Sequence, residues 1–281
     1  MAVKMYRRNR AARKQASIVD RPSHKALARK LTKRLIYGRK RVSGRGSEGK
    51  ITVRHRGGGA KRRMRVVDFG QEKPGVTAIV ERVEYDPNRS AFLALLKYAD
   101  GSRCYRLSWE GAKEGDEVVV DEKTPEVPGM RMQLQHVTPG LEVFNVELKP
   151  GRGGKLFRSA GTFGVVMDVS GSYAQLKLPS SEVRLIPKEA YATLGRASNS
   201  DWWQTRIGSA GRSRRMGRRP QVRGKAMNPV DHPHGGGEGQ QPIGLKHPKT
   251  KWGKPALGVR TRKAGKYSDY LILRRRKKKK R

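Results

Sequence analysis

The chain has 281 residues, and its 64 Lys and Arg against 24 Asp and Glu give a formal charge of +40 at pH 7. A charge of that size makes an isolated globule repel itself, so a polyanionic partner is implied. No window approaches the roughly 18 apolar residues of a membrane span, no apolar stretch follows the basic N-terminal residues, and Cys104 stands alone. Membrane insertion, secretion, disulfide frameworks and cysteine-rich zinc sites are therefore set aside, and a reducing compartment is expected.

The charge is unevenly placed. Residues 1–65 carry a net +21, residues 66–150 a net −5, residues 151–195 a net +3, and residues 196–281 a net +21. Val, Ile, Leu and Phe follow the inverse pattern, with 35 among the 130 residues of 66–195 and 20 among the 151 outside. Only the middle has the material for a core. The flanks combine low hydrophobicity with high charge and are expected to order on a counter-charged partner.

In chain order, Lys25 to Tyr37 places Leu27, Leu31 and Leu35 on one face and predicts a short basic amphipathic helix. A membrane-surface helix and a calmodulin-type target are the weaker readings; a helix on nucleic acid or on a neighbouring protein suits the charge better. Gly44 to Gly49 reads GRGSEG, formally a dinucleotide fingerprint. That motif needs a strand before it and a helix after it, whereas here a basic run precedes and the strand-like Lys50 to His55 follows.

Arg54-His55-Arg56-Gly57-Gly58-Gly59-Ala60-Lys61-Arg62-Arg63 sets three glycines between basic clusters. Glycine admits close main-chain approach, N–H groups can face phosphate oxygens, and flanking guanidiniums can pair with the same backbone. A flexible linker is the plainer alternative. The P-loop spacing is absent.

From Met64 onward short β segments take over. Strands are predicted at Val76–Tyr85, Ala91–Tyr98, Arg103–Leu107 and Val118–Val120, with a turn at Asp86–Arg89 and a hairpin signal at Asp100-Gly101. This density suggests a small closed barrel of the OB type over 64–125. Asn88-Arg89-Ser90 matches a glycosylation acceptor, which has no meaning without secretion. A second β unit, 126–195, has strands predicted at Leu141–Leu148, Phe163–Val169, Tyr173–Leu178 and Glu182–Ile186, and its tight turns favour an SH3-like barrel. Pro187 to Leu194 reads as a short helix, with Pro in its first turn and Gly195 beyond its end. Between those strands, Arg152-Gly153-Gly154-Lys155, with Arg158 close behind, repeats the glycine-and-cation pattern.

Beyond Arg196 regular periodicity stops. Arg212, Arg214, Arg215, Arg218, Arg219 and Arg223 form an arginine-rich segment, and arginine over lysine favours forked contacts and stacking on bases. Ala226 to Gly239, AMNPVDHPHGGGEG, follows, and its prolines and glycines exclude helix and strand. His232 and His234 with Asp231 and Glu238 are residue types of metal or acid–base chemistry, but no third histidine or cysteine lies near. Hydrogen bonding or stacking on nucleic acid is the favoured role, with a self-contained loop as alternative. The final basic run, Arg274 to Arg281, reads as a phosphate-contacting tail.

The strings ITVRHRGGG (51–59), YDPNRSA (85–91), ELKPGRGGKL (147–156), RSAGT (158–162), LPSSEVRL (178–185), GRRPQVRG (217–224) and AMNPVDHPHGGGEG (226–239) run in order along nearly the whole chain. In them the chain resembles the bacterial-type family of large-subunit ribosomal protein two. Ala60, Phe144, Ser181 and Met216 depart from the residues common in that family. The resemblance implies an OB-fold followed by an SH3-like barrel, with N- and C-terminal extensions at 1–63 and 196–281 threaded into large-subunit rRNA. It also implies neighbouring ribosomal proteins, the small subunit and tRNA as partners, and roles in subunit association, tRNA placement and support of the peptidyl-transferase region. The expectation is a non-enzymatic protein of the cytoplasmic large ribosomal subunit, an organellar ribosome remaining an alternative. No cofactor is expected beyond Mg²⁺ carried by the RNA. RNA contacts are expected at Arg54, His55, Arg56, Gly57, Gly58, Gly59, Lys61, Arg62, Arg63, Arg89, Arg152, Gly153, Gly154, Lys155, Arg158, the six arginines of 212–223, His232, His234, Gly235, Gly236 and Gly237.

Overall fold

A computed structural model describes residues 3–6, 15–20, 22, 33–38, 41–70, 73–237, 242–259 and 261–276. The fold is mostly β and divides into two units. One takes in 1–40, 61–209 and 268–281; the other takes in Arg41–Ala60 and Ala210–Tyr267. Among the described residues no helix is long and apolar enough to cross a membrane.

The first unit contains both barrels. The OB-type sheet is antiparallel, with strands in the order Arg103–Leu107, Leu93–Tyr98, Ala78–Glu84, Glu117–Val118. Val67 adds a parallel bridge to Tyr105, and a register shift between Val80 and Arg82 bends the long strand as a bulge does. Curling buries both faces of the central strand: Leu93, Ala94, Leu95 and Leu96 are all buried. They pack with Val80, Tyr105, Leu107 and Trp109. The SH3-like sheet orders its strands Ile272–Arg274, Val183–Pro187, Tyr173–Lys177, Gly164–Ser170, Glu142–Phe144, Tyr191–Leu194, Arg131–Gln133. Its core gathers Met132, Leu134, Val143, Val146, Val166, Leu176, Ile186 and Leu194.

Phe144, one of the departures from the family pattern, lies on a strand of the second sheet but is fully buried in the first cluster. Phe157 packs against both clusters. Arg131 is also buried, donating to Glu147 Oε1 at 2.9 Å and to the Asn145 carbonyl at 2.6 Å. Desolvation pulls its guanidinium below the ordinary value, and Glu147 opposes that shift.

Several expected elements take another form. Pro187–Leu194 is not a helix. Pro187 ends one strand, the Ala190 N–H closes a turn onto the Pro187 carbonyl, and Tyr191–Leu194 pairs with strands on both sides. Proline at the start and glycine at the end punctuate a turn as well as a helix, and two open sheet edges decided for strand. Of the helix expected over 25–37, residues 25–32 lie outside the described residues. Lys33–Leu35 is a 3₁₀ turn, and Ile36–Gly38 is a strand paired with Arg63–Arg65. Lys50–His55 makes only one bridge, Ile51 to Arg45, because the Gly44 carbonyl accepts the N–H groups of both Thr52 and Val53 in a tight loop. Gly44 sits at φ +78°, and a side chain there would run into the Val53 carbonyl.

The region beyond Arg196 is also more regular than its pattern suggests. It contains a 3₁₀ turn at Ser200–Gln204, a helix at Ala210–Arg215 and the strand Ile272–Arg274 on the edge of the second sheet. Of the basic tail, residues 277–281 lie outside the described residues.

Candidate nucleic-acid interface

In the barrel unit, Arg89 and Arg158, from segments far apart in sequence, converge on one aromatic ring. Asp86 opens an Asx turn by accepting the Asn88 N–H at 2.9 Å, and its other oxygen receives Arg89 Nη1 at 2.7 Å. Asp86 is itself buried, with Arg65 Nη1 3.7 Å away. The Arg89 guanidinium is thus aimed over Phe69, 5.8 Å from the ring centroid, and Arg158 covers the same ring at 4.6 Å. Both lie within cation–π range. Burial lowers the Arg89 pKa, with Asp86 opposing and Arg158 and Arg65 adding to the effect. Arg62 donates to the Pro87 carbonyl at 2.9 Å, and the Arg63 carbonyl accepts from the Asn88 amide, which ties the 61–63 segment to the same turn.

The Gly153-Gly154 pair brings in the last loop. The Gly154 N–H donates to the Phe69 carbonyl at 3.0 Å, and a Cβ at Gly153 would lie 2.9 Å from that same oxygen. A side chain at Gly154 would collide with Asn145. Both glycines are buried, while Arg152, Lys155 and Arg158 are exposed beside them. Here glycine lets two pieces of protein backbone meet, and the cations remain outside.

The second unit repeats that division. Its helix Ala210–Arg215 ends in a Schellman motif: Gly217 N–H donates to the Arg214 carbonyl at 2.9 Å, Arg218 N–H to the Ser213 carbonyl at 3.2 Å, and Gly217 sits at φ +89°. The reversal lays residues 215–219 along residues 55–60. Gly57 N–H donates to Gly217, Ala60 N–H to Arg215, and Arg219 N–H to His55, at 2.9–3.0 Å. Arg56 bridges to Arg218, and His55, at φ +59°, sets Nδ1 3.0 Å from the Pro220 carbonyl. A Cβ at Gly59 would meet the Gly217 nitrogen at 2.8 Å. Gly57 and Gly58 both have positive φ, and nothing lies near the Cβ position of Gly58. Arg54, Arg56, Arg214, Arg215, Arg218, Arg219 and Arg223 are exposed, and Arg212 is half-buried. Arg54 stacks over Trp252 at 5.4 Å, with Lys251 Nζ at 4.7 Å from that ring.

His232 and His234 do come together, with centroids 4.7 Å apart. Each ring already accepts a backbone N–H: His234 N–H donates to His232 Nδ1 at 3.0 Å, and Lys249 N–H to His234 Nε2 at 2.8 Å. Loss of hydration, with His232 and Lys225 nearby, pushes the His234 pKa below its ordinary value. Each ring keeps its other nitrogen as a donor. Gly235 N–H donates to His232 and Gly236 N–H to Met227, and a side chain at Gly235 would run into the Asn228 carbonyl. Gly237 sits at φ +72°. Among the described residues no three His, Cys, Asp or Glu side chains converge to hold a metal; Glu238 lies outside them.

Phe69, Trp252, Arg65 and Asp86 escape a reading of the sequence alone. Asp86 three residues before Arg89 is a usable signal for an oriented guanidinium, whereas nothing local marks Phe69 or Trp252 as platforms.

Both cation surfaces gather Arg and Lys that are mostly exposed, with glycine shaping part of the backbone that carries them, an arrangement suited to a phosphate-rich ligand. Residues 32–120 match the family model described as "Ribosomal Proteins L2, RNA binding N-terminal domain", and residues 127–253 match "Ribosomal Proteins L2, C-terminal domain". These domains mark an rRNA-binding structural component of the large ribosomal subunit. Together the two matches take in most of the sequence, in order, and the chain belongs to the ribosomal protein L2 family.

Proposed function

We propose that the protein grips large-subunit rRNA through two cationic surfaces and acts without catalysis. The first is the set Lys61, Arg62, Arg63, Arg89, Arg152, Lys155 and Arg158 around Phe69. The second is the set Arg54, Arg56, Arg212, Arg214, Arg215, Arg218, Arg219 and Arg223, with His232 and His234 as hydrogen-bond donors to RNA. The glycines of 57–59, 153–154 and 235–237 serve by shaping the backbone that presents these groups. Subunit association, tRNA placement and support of the peptidyl-transferase region are the roles this grip serves, with neighbouring ribosomal proteins, the small subunit and tRNA as the partners in reach.

The observation that carries the reading is the convergence of Arg89 and Arg158 over Phe69. Two like charges held over one ring repel, and a phosphate between them relieves that repulsion. The histidines support a structural role, because the ring nitrogens that would accept a proton in general-base chemistry already accept backbone N–H groups.

The test is binding of the full chain to purified large-subunit rRNA as salt is raised. Affinity should fall steeply, as counterion release requires. Arg89→Ala with Arg158→Ala should lower the log–log slope by about 2, roughly 1 for each phosphate no longer neutralised. An unchanged slope would remove these residues from the interface. In reconstituted particles, His232→Ala and His234→Ala should impair assembly or subunit joining, with little activity lost in the particles that do form.

A further inference from the structure

Trp203 is 66% exposed, yet its position is tightly determined. It sits on the 3₁₀ turn Ser200–Gln204, whose N-cap Asn199 adopts φ +66° and donates its side-chain amide to the Ser90 carbonyl at 2.6 Å. Ser200 Oγ donates to Glu110 Oε1 at 2.7 Å, and the turn rests on Gly161, where a Cβ would lie 2.8 Å from Ser200 Cα. The indole Nε1 donates to the Ala160 carbonyl at 2.9 Å, and Trp202 meets the ring edge-on at 5.1 Å and 84°. Its one polar atom is satisfied. What remains is a rigid aromatic surface that loses almost no side-chain freedom when covered.

An exposed apolar side chain is common by itself, so the neighbours decide the ligand. Ala160, which holds the indole, is two residues from Arg158, whose guanidinium lies over Phe69. An aromatic face beside oriented cations suits a nucleobase with its phosphate better than an apolar protein surface, which would have to bury those charges. We propose that Trp203 is a stacking platform for one unpaired base of large-subunit rRNA, next to the Arg89–Arg158 surface. The proposal rests on RNA binding by that surface and adds a contact that carries no charge.

Its test uses the full chain and purified large-subunit rRNA, with Trp203→Ala, Trp203→Leu and Trp203→Phe compared across a salt series. Stacking on one base predicts about a tenfold loss for Trp203→Ala and Trp203→Leu, retention within about threefold for Trp203→Phe, and a salt slope equal to that of the parent chain. Thermal unfolding checks that each variant folds, as the exposure of the ring leads one to expect. Wild-type affinity in folded Trp203→Ala overturns the proposal. So does Trp203→Leu binding as well as Trp203→Phe, since apolar area alone would then suffice. Unchanged RNA affinity with a neighbouring protein missing from reconstituted particles overturns it in favour of a protein contact. Failure of the parent chain to bind rRNA would instead strike the broader reading.

Discussion

The two units of this protein reach order by different means. In the barrel unit order comes from side chains: two apolar clusters, one of which includes a strand buried on both faces and a phenylalanine supplied by the other barrel's sheet. The unit of Arg41–Ala60 and Ala210–Tyr267 carries 20 Lys and Arg against 3 Asp and Glu, and among the described residues none of the buried hydrophobic ones belongs to it. Val42, Ile51, Val53, Val222, Val230, Leu245, Leu257 and Val259 are all exposed there. Its segments are joined by main-chain hydrogen bonds across residues far apart in sequence, in places where glycine lets backbones approach. Side-chain burial stabilises a fold in water, whereas exposed backbone hydrogen bonds contribute little net, so the second unit depends far more on what neutralises its charge.

The contrast can be broken from either side. The largest effect is expected at Arg131→Ala, which leaves the Glu147 carboxylate buried without its partner and should cost about 3–5 kcal/mol. Urea unfolding of the full chain measures it, and a loss below about 1 kcal/mol would mean that the barrels do not rely on that pair. Gly217→Ala places a side chain at φ +89° and should cost about 1–2 kcal/mol, confined to the second unit. Amide exchange at Gly57 and Ala60 should quicken while the barrel strands keep their protection. Equal loosening of both units would show that they are one cooperative body.

The smallest effect is a pH dependence of the histidine loop. The His234 pKa in the folded chain lies below its ordinary value of 6.5, so the unfolded loop binds a proton more readily than the folded one. The loop's stability is therefore fully present above the ordinary value and is lost as pH falls through the folded one. Proton NMR of the ring should show a depressed midpoint, and the Lys249 amide should lose protection below it.

Much of the barrel unit is legible in the sequence because strand alternation and turn residues are local. Arg103–Leu107 agrees with its expected strand to the residue, and five more strands of the two sheets agree within two residues at their ends. Among the segments that depart, Leu141–Leu148 is divided at Asn145, at φ +49°, into the strands Glu142–Phe144 and Val146–Glu147 of two different sheets, and Pro187–Leu194 is short, with a flanking proline and glycine that fit two structures alike. The glycine motifs are legible as places of close approach, but the partner is not. Phe69 backs Gly153, and the backbone of 215–217 backs Gly59. Contacts between residues some 80 and 160 positions apart leave no local mark.

By itself the sequence determined where a core is possible, where the charge lies, and which motifs tie the chain to an RNA-binding family, since composition and spacing act residue by residue. Only the tertiary structure decided which cations share a surface, which glycine N–H groups are already used, and that the Arg196–Arg281 region carries a helix and a closing strand. Those outcomes depend on sheet edges and backbone carbonyls supplied from far along the chain, and they exist only once the chain has folded.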